Sequence, residues 1–278
     1  MEFHKGHGTG NDFVLLPDPD GQLALTPALV AALCDRRRGI GADGVLRVVR
    51  SAKHPAAANH AADAEWFMDY WNADGSSAEM CGNGVRVFSR FLVDSGWATP
   101  AASGLPVATR AGVVRVLVGE GSIAVDMGLP GRYAQSAASV DGRSLPGTAV
   151  DLGNPHLVCP LPPDVALSTV DLSHSPGFDE TLFPSGVNVE LFAPVPGPGV
   201  HVRMRVYERG VGETLSCGSG ACAVAAVALH EGGRSRGTVV VEVPGGRLTV
   251  ELDGTTCWLA GPALLVAHGE VDPAVLTA

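Results

Sequence analysis

The 278-residue chain reads as an α+β protein of two pseudo-symmetric domains, each a curled, mostly antiparallel sheet wrapped around one central helix. Three observations lead there. The run MCGNGVRVFSRFL from Met80 to Leu92 returns as SCGSGACAVAAVAL from Ser216 to Leu229, so one helix-opening motif occurs twice. Most other apolar segments are short, rich in β-branched residues and bounded by Gly, Pro or Asn, which is the signature of strands. Finally, the shift that carries Cys81 onto Cys217 also carries Asn72 onto Glu208, and a neighbouring shift carries Gly10-Asn11 onto Gly153-Asn154. The repeat therefore extends past the helices. Its halves run from 1 to 128 and from 129 to 265, joined at Gly128-Leu129-Pro130-Gly131, with a tail from about 266 to 278 packing back onto the first.

In order, Phe3 opens a strand, Gly6 to Asn11 turn, and Phe13 to Leu16 form a second strand. Thr26-Pro27 supplies an N-cap and a first-turn proline for a helix running through ALVAALCDRRR to Gly39, whose final arginines complement the helix dipole. Gly39, Gly41 and Gly44 have Gly-x-Gly-x-x-Gly spacing. A helix precedes them and the strand Val45 to Val49 follows, the wrong order for a dinucleotide fingerprint. Ser51 to Ala64 is small, polar and aperiodic, hence a mobile surface loop. The strand Glu65 to Trp71 delivers the turn Asn72-Ala73-Asp74-Gly75 just ahead of the first cysteine, and a helix follows from Gly84 to Val93. Val113–Val118 and Ile123–Met127 flank a Gly-Glu-Gly hairpin. In the second half, strands fall at Ala149–Leu152, Val187–Phe192 and Val200–Tyr207, and Pro244-Gly245-Gly246 joins Val239–Val243 to Leu248–Leu252. Helix Ala221–Leu229 is apolar around its circumference and should be buried on every side.

Composition narrows the function classes. Apolar residues at 46% suffice for two cores, and a net charge of −10 argues against a nucleic-acid partner. The N-terminus lacks an apolar signal core, and the longest apolar run, Ala221 to Leu229, is too short to span a bilayer. The six cysteines are scattered without a C-x-x-C pair, which suits reduced thiols in a cytoplasmic protein.

Each repeated motif sets a cysteine at a helix start, where unpaired N–H groups and the positive dipole end favour a thiolate and draw its pKa toward neutrality. Two such thiols can invert a carbon: one removes a proton and the other returns one to the opposite face. The amides of Gly82-Asn83 and Gly218-Ser219 could hold a substrate carboxylate, in a site expected in the cleft between the halves. A pyridoxal route needs a Schiff-base lysine, and the only lysines are Lys53, in the loop, and Lys5, so no cofactor is expected. A metal held by Cys81, Cys217, His156 and Glu208 would lack the usual closely spaced ligand pairs, so no metal is expected either. On residue pattern alone, His156 and Glu208 read equally well as core polar groups that satisfy each other. A Cys81–Cys217 disulfide formed under oxidation would block the site.

HGTGNDF, CDRRRGIGADG, NADGSSAEMCGNGVR, GNPH, GVNVE and ERGVGETLSCGSGACA, in this order to about residue 230, resemble the diaminopimelate epimerase family. The resemblance implies a cofactor-independent homodimer that interconverts LL- and meso-2,6-diaminopimelate on the route to lysine and peptidoglycan precursors. It implies that Cys81 and Cys217 are the two bases and that His156 and Glu208 tune them. Asn11, Asn72, Asn154, Asn188, Glu208 and Arg209 would hold the substrate, chiefly its non-reacting end, and Gly82-Asn83 and Gly218-Ser219 its reacting carboxylate. Some family members carry a glutamine where Gly44 stands, so that contact does not transfer. The rivals are a two-cysteine racemase of proline, hydroxyproline or histidine type, and a non-catalytic anion-binding protein.

Overall fold

A computed structural model describes residues 1–276. Its first strands and helix are β1 (Glu2–Gly8), β2 (Asn11–Pro17), α1 (Pro27–Cys34), β3 (Gly44–Arg50) and β4 (Trp66–Asn72). There follow α2 (Gly82–Asp94), β5 (Leu105–Thr109), β6 (Gly112–Val118), β7 (Ile123–Asp126), β8 (Gly131–Val140), β9 (Arg143–Asp151) and β10 (Pro155–Pro160). Next come β11 (Asn188–Pro194), β12 (Val200–Glu208), β13 (Gly212–Thr214) and α3 (Gly218–Glu231). The last strands are β14 (Gly237–Val243), β15 (Gly246–Leu252), β16 (Cys257–Gly261) and β17 (Leu264–Glu270). The chain divides into Met1–Val125 with Gly261 onward, and Asp126–Ala260, so the boundaries lie a few residues before those read from the linker and the tail.

In the first unit the strand order is β17-β1-β2-β3-β4-β5-β6-β7, antiparallel except at β2–β3 and β4–β5. In the second it is β8-β9-β10-β11-β12-β14-β15-β16, antiparallel except at β10–β11 and β12–β14. The parallel steps fall at the same places in both orders, so the duplication covers the whole sheet. Parallel neighbours need a crossover, and in each unit the second crossover carries the central helix, α2 or α3. On α3, Gly218, Gly220 to Val227 and Leu229 are buried, so the wholly apolar helix is covered nearly all round. On α2 the buried set reaches beyond the apolar face to Arg86, Ser89 and Asn83.

Two local expectations are overturned. Helix α1 stops at Cys34, because Asp35 leaves helical geometry and its carboxylate accepts the N–H groups of Arg37 and Arg38 at 2.8 and 2.9 Å. The arginine run thus lies beyond the helix and does not complete it. Ser51–Ala64 is likewise no loose loop. It holds 3₁₀ turns at Ser51–Lys53 and Ala58–His60, and Ala57 and Ala64 pack with Val49, Phe67 and Ala108. Alanines fill that small cluster in single turns, which leaves no periodic signal.

Candidate active site

Cys81 is the N-cap of α2. Its backbone is extended, so the sulfur turns back to accept the N–H of Gly84 at 3.4 Å. The thiol also faces Asn11, whose Oδ1 lies 3.6 Å from Sγ and accepts the Asn83 amide at 3.3 Å. Asn11 can present only its oxygen there, because its Nδ2 donates to Asp43 at 2.8 Å. Arg36 steadies Asp43 at 2.8 Å and grips Asp12 through both nitrogens at 2.7 and 3.1 Å. Lys5 is spent on Asp12 at 2.6 Å and on the Gly41 carbonyl.

This ion cluster makes the site's scaffold acid-sensitive. Burial works against the Asp12 charge, but Arg36 and Lys5 outweigh it and hold the carboxyl down at about 2, below its ordinary 3.8. A depressed carboxylate pKa contributes stability above the unfolded value, and that stability disappears as pH falls through the folded one. Wild-type protein should therefore lose about 2 kcal/mol between roughly pH 4 and pH 2 through this group. In Asp12→Asn that portion of the acid limb should flatten, as urea titrations across the range would register. An unchanged limb would remove Asp12 from the account.

Arg86 was not foreseen. Its buried guanidinium donates to Asn83 Oδ1 at 2.8 Å and to Thr9 Oγ1 at 3.3 Å. Thr9 sits at φ 51°, a left-handed conformation that side chains other than Gly, Asn and Asp rarely adopt, so Arg86 ties a strained turn to the helix start. Asn72, at the end of β4, donates to Ser76 Oγ at 3.0 Å. At Gly44 a Cβ would lie 2.6 Å from the Trp71 carbonyl oxygen and 2.8 Å from the Tyr70 ring, so this backbone leaves no room for a side chain there.

In the second unit Cys217 repeats the geometry: it caps α3 and its sulfur accepts the Gly220 N–H at 3.4 Å. Here the expected low thiol pKa does not hold. Burial, followed by the charges of Glu208 and Glu190, pushes the Cys217 thiol well above its usual value, against hydrogen bonds from Ser219 and Gly220. Glu208, at the end of β12, accepts the Thr214 hydroxyl.

His156 is fully buried, and its direct partner is Glu190, another residue the motifs did not single out. Nδ1 lies 2.6 Å from Glu190 Oε1, and Nε2 lies 3.0 Å from Asn154 Oδ1. Burial raises the Glu190 pKa, although His156 pulls the other way. Asn154 donates onward to Ser219 Oγ at 3.3 Å, and that oxygen is 3.6 Å from Cys217 Sγ. Asn188 is buried, with its amide bridging the Pro155 carbonyl (3.2 Å) and the Arg209 N–H (2.9 Å). The Arg209 side chain is exposed, passes over Gly186 and donates to the Ser185 carbonyl at 3.1 Å.

A duplicated sheet-on-helix fold with a cysteine capping each central helix defines the class, and the solved structures with this fold include two of known kinds. One is a phenazine biosynthesis protein of the PhzF family from Bacillus anthracis, with a TM-score of 0.71 at 17% identity over 98% of each chain. The other is a hydroxyproline epimerase from Agrobacterium vitis with bound trans-4-OH-L-proline, with a TM-score of 0.65 at 17% identity over 98% of this chain and 90% of that one. At such identities the likeness concerns the fold. Sequence goes further: the family profile for diaminopimelate epimerase matches residues 3–132 and 148–266. The diaminopimelate epimerase of Thermobifida fusca (strain YX) is 52% identical over 276 residues, covering 98% of each chain. The chain belongs to the diaminopimelate epimerase family.

Proposed function

We propose that this chain interconverts LL- and meso-2,6-diaminopimelate by moving one α-proton between two sulfurs. The observation that carries the reading is the matched pair of N-cap cysteines, each sulfur 3.4 Å from the amide that opens its helix. In the scheme, one sulfur, as thiolate, takes the α-proton while the electron pair spreads into the substrate carboxylate. The other, as thiol, delivers a proton to the opposite face. The sulfurs have then exchanged protonation states, which suits the reverse reaction, and exchange with solvent restores the first state for another turnover in the same direction. Helix-start amides at Gly82-Asn83 and Gly218-Ser219 favour the carboxylate as its charge grows. Which sulfur is the base and which the donor is set by the configuration of the bound isomer, whose α-proton faces only one of them. Arg209, with Asn11, Asn72 and Asn154, receives the distal ammonium and carboxylate. A cytoplasmic homodimer belongs to the same reading.

The test is to incubate the protein with LL-diaminopimelate in D₂O and follow the α-proton by NMR. Solvent deuterium should enter the α-position while the meso isomer appears. An intact α-proton would leave an anion-binding protein, and exchange with trans-4-hydroxy-L-proline alone would move the reading to the imino-acid racemases.

A further inference from the structure

The two central helices rest on chemically different floors. The strand registers set Phe13 beside Gly44 and His156 beside Asn188, so Phe13 and Leu46 of the first unit correspond to His156 and Glu190 of the second. Under Gly84 lie Leu46 and Phe13, and against Gly220 lies the Glu190 carboxyl. One unit supports its thiol-bearing helix on apolar side chains, whereas the other buries an ionisable pair in the same place. Burying such a pair is expensive and gives weak stability in return.

What the pair does have is a directed connection to the thiol. Asn154 shows Oδ1 to His156 and Nδ2 to Ser219. An amide oxygen only accepts, so this arrangement requires a hydrogen on Nε2. Ser219 then receives the Asn154 N–H, and its own hydroxyl hydrogen is left to donate to Cys217 Sγ, 3.6 Å away. Were Nε2 bare, the amide would turn round and claim the serine hydroxyl, and the sulfur would lose its donor.

The proton count of the buried pair decides between these states. A carboxylic acid facing Nδ1 with Nε2–H, or a carboxylate facing an imidazolium, keeps the hydrogen on Nε2. A carboxylate facing a neutral ring protonated at Nδ1 does not. The first two are neutral overall and the third carries a net charge, which burial disfavours. Glu190 Oε2 has no hydrogen-bond partner among the described residues, a condition far less costly for the carbonyl oxygen of an acid than for a carboxylate oxygen. The ionisable groups acting on the Cys217 sulfur are Glu208 and Glu190, and the group facing Glu190 is His156.

We infer that Glu190 is a positioning residue for the second thiol: by keeping His156 protonated at Nε2, it orients Asn154 and Ser219 so that the serine hydroxyl donates to the Cys217 sulfur. This rests on the proposed epimerase reading, in which that sulfur must carry negative charge once per cycle.

The experiment compares LL-diaminopimelate epimerisation by wild type, Glu190→Met, Glu190→Gln, Ser219→Ala and the double variant Glu190→Met/Ser219→Ala. If wild type turns nothing over, the epimerase reading falls and takes this inference with it. With an active wild type, the methionine variant should lose about tenfold or more in kcat, with KM within about threefold. Glutamine, whose amide can offer Nδ1 the same hydrogen, should restore most of the loss. In the Ser219→Ala background the methionine change should have little further effect, since the pathway is already cut. Wild-type kcat in Glu190→Met, equal damage from glutamine and methionine, or full additivity with Ser219→Ala would each overturn the inference. Should circular dichroism show the methionine variant unfolded, Ser219→Ala decides: it must lower kcat, and an unchanged kcat overturns the inference.

Discussion

Cys81→Ala and Cys217→Ala should each lower diaminopimelate epimerisation by about 10²–10⁴-fold, the usual contribution of a positioned acid or base. The loss should nonetheless be incomplete in an informative way. An α-proton faces one sulfur in the LL isomer and the other sulfur in the meso isomer. A variant keeping a single thiol can still remove the proton that faces it and return deuterium to the same face. Each variant should therefore exchange the α-proton of one isomer only, without inversion, and the two variants should differ in which isomer that is. NMR in D₂O with each pure isomer reads this directly, and chiral chromatography confirms that configuration is retained. Full epimerisation in either variant, or the same isomer exchanging in both, would defeat the two-base scheme. The folds should persist, because the sulfur's hydrogen bond to the Gly84 or Gly220 amide is long and weak and losing it costs only about 1 kcal/mol.

What was legible in the sequence was whatever local chemistry dictates. Thr26-Pro27 starts α1 as an N-cap and first-turn proline, and Cys-Gly-x-Gly starts α2 and α3 for the same reason of backbone geometry. The thiols, the Gly-Asn turns and the polar strand ends were found because they repeat. Glu190 and Arg86 were missed because neither has a repeat partner. Each is a single charge inside an apolar segment, Glu190 between Val189 and Leu191, and Arg86 between Val85 and Val87. That is itself a usable signal: a lone charge in a buried run is buried with it, and buried charges come paired. Asp43 gave no such signal, since its role arises only when β3 aligns beside β2 and brings it to Asn11. The expected thiol pKa at Cys217 failed for a related reason. The helix-start effect could be read from the motif, but the burial of the sulfur and, after it, the opposing carboxylates from β11 and β12 come only with the folded unit.

The different floors beneath the two helices should make equivalent glycines respond in opposite ways to the same substitution. Gly84 and Gly220 each follow their cysteine by three positions and each supplies the N–H that the sulfur accepts. A Cβ at Gly84 would touch Leu46 at 3.4 Å and Phe13 and Cys81 at 3.5 Å, ordinary van der Waals contacts. Gly84→Ala should thus be neutral, or stabilising by up to about 1 kcal/mol through helix propensity. A Cβ at Gly220 would lie 2.6 Å from Glu190 Oε1 and 3.2 Å from its Cδ and Cγ, closer than atoms pack. The carboxyl is fully buried and bound to His156 at 2.6 Å. Displacing it adds the loss of a buried charge-assisted hydrogen bond, about 1.5–3 kcal/mol, to an overpacking cost of about 1–3 kcal/mol. Gly220→Ala should accordingly destabilise the protein by about 3 kcal/mol or more in urea unfolding. Glu190→Ala, which empties that space, should relieve the steric part of the penalty in the double variant. Equal tolerance at Gly84 and Gly220, or no such relief, would mean that the Glu190 carboxyl does not press against the helix start as described.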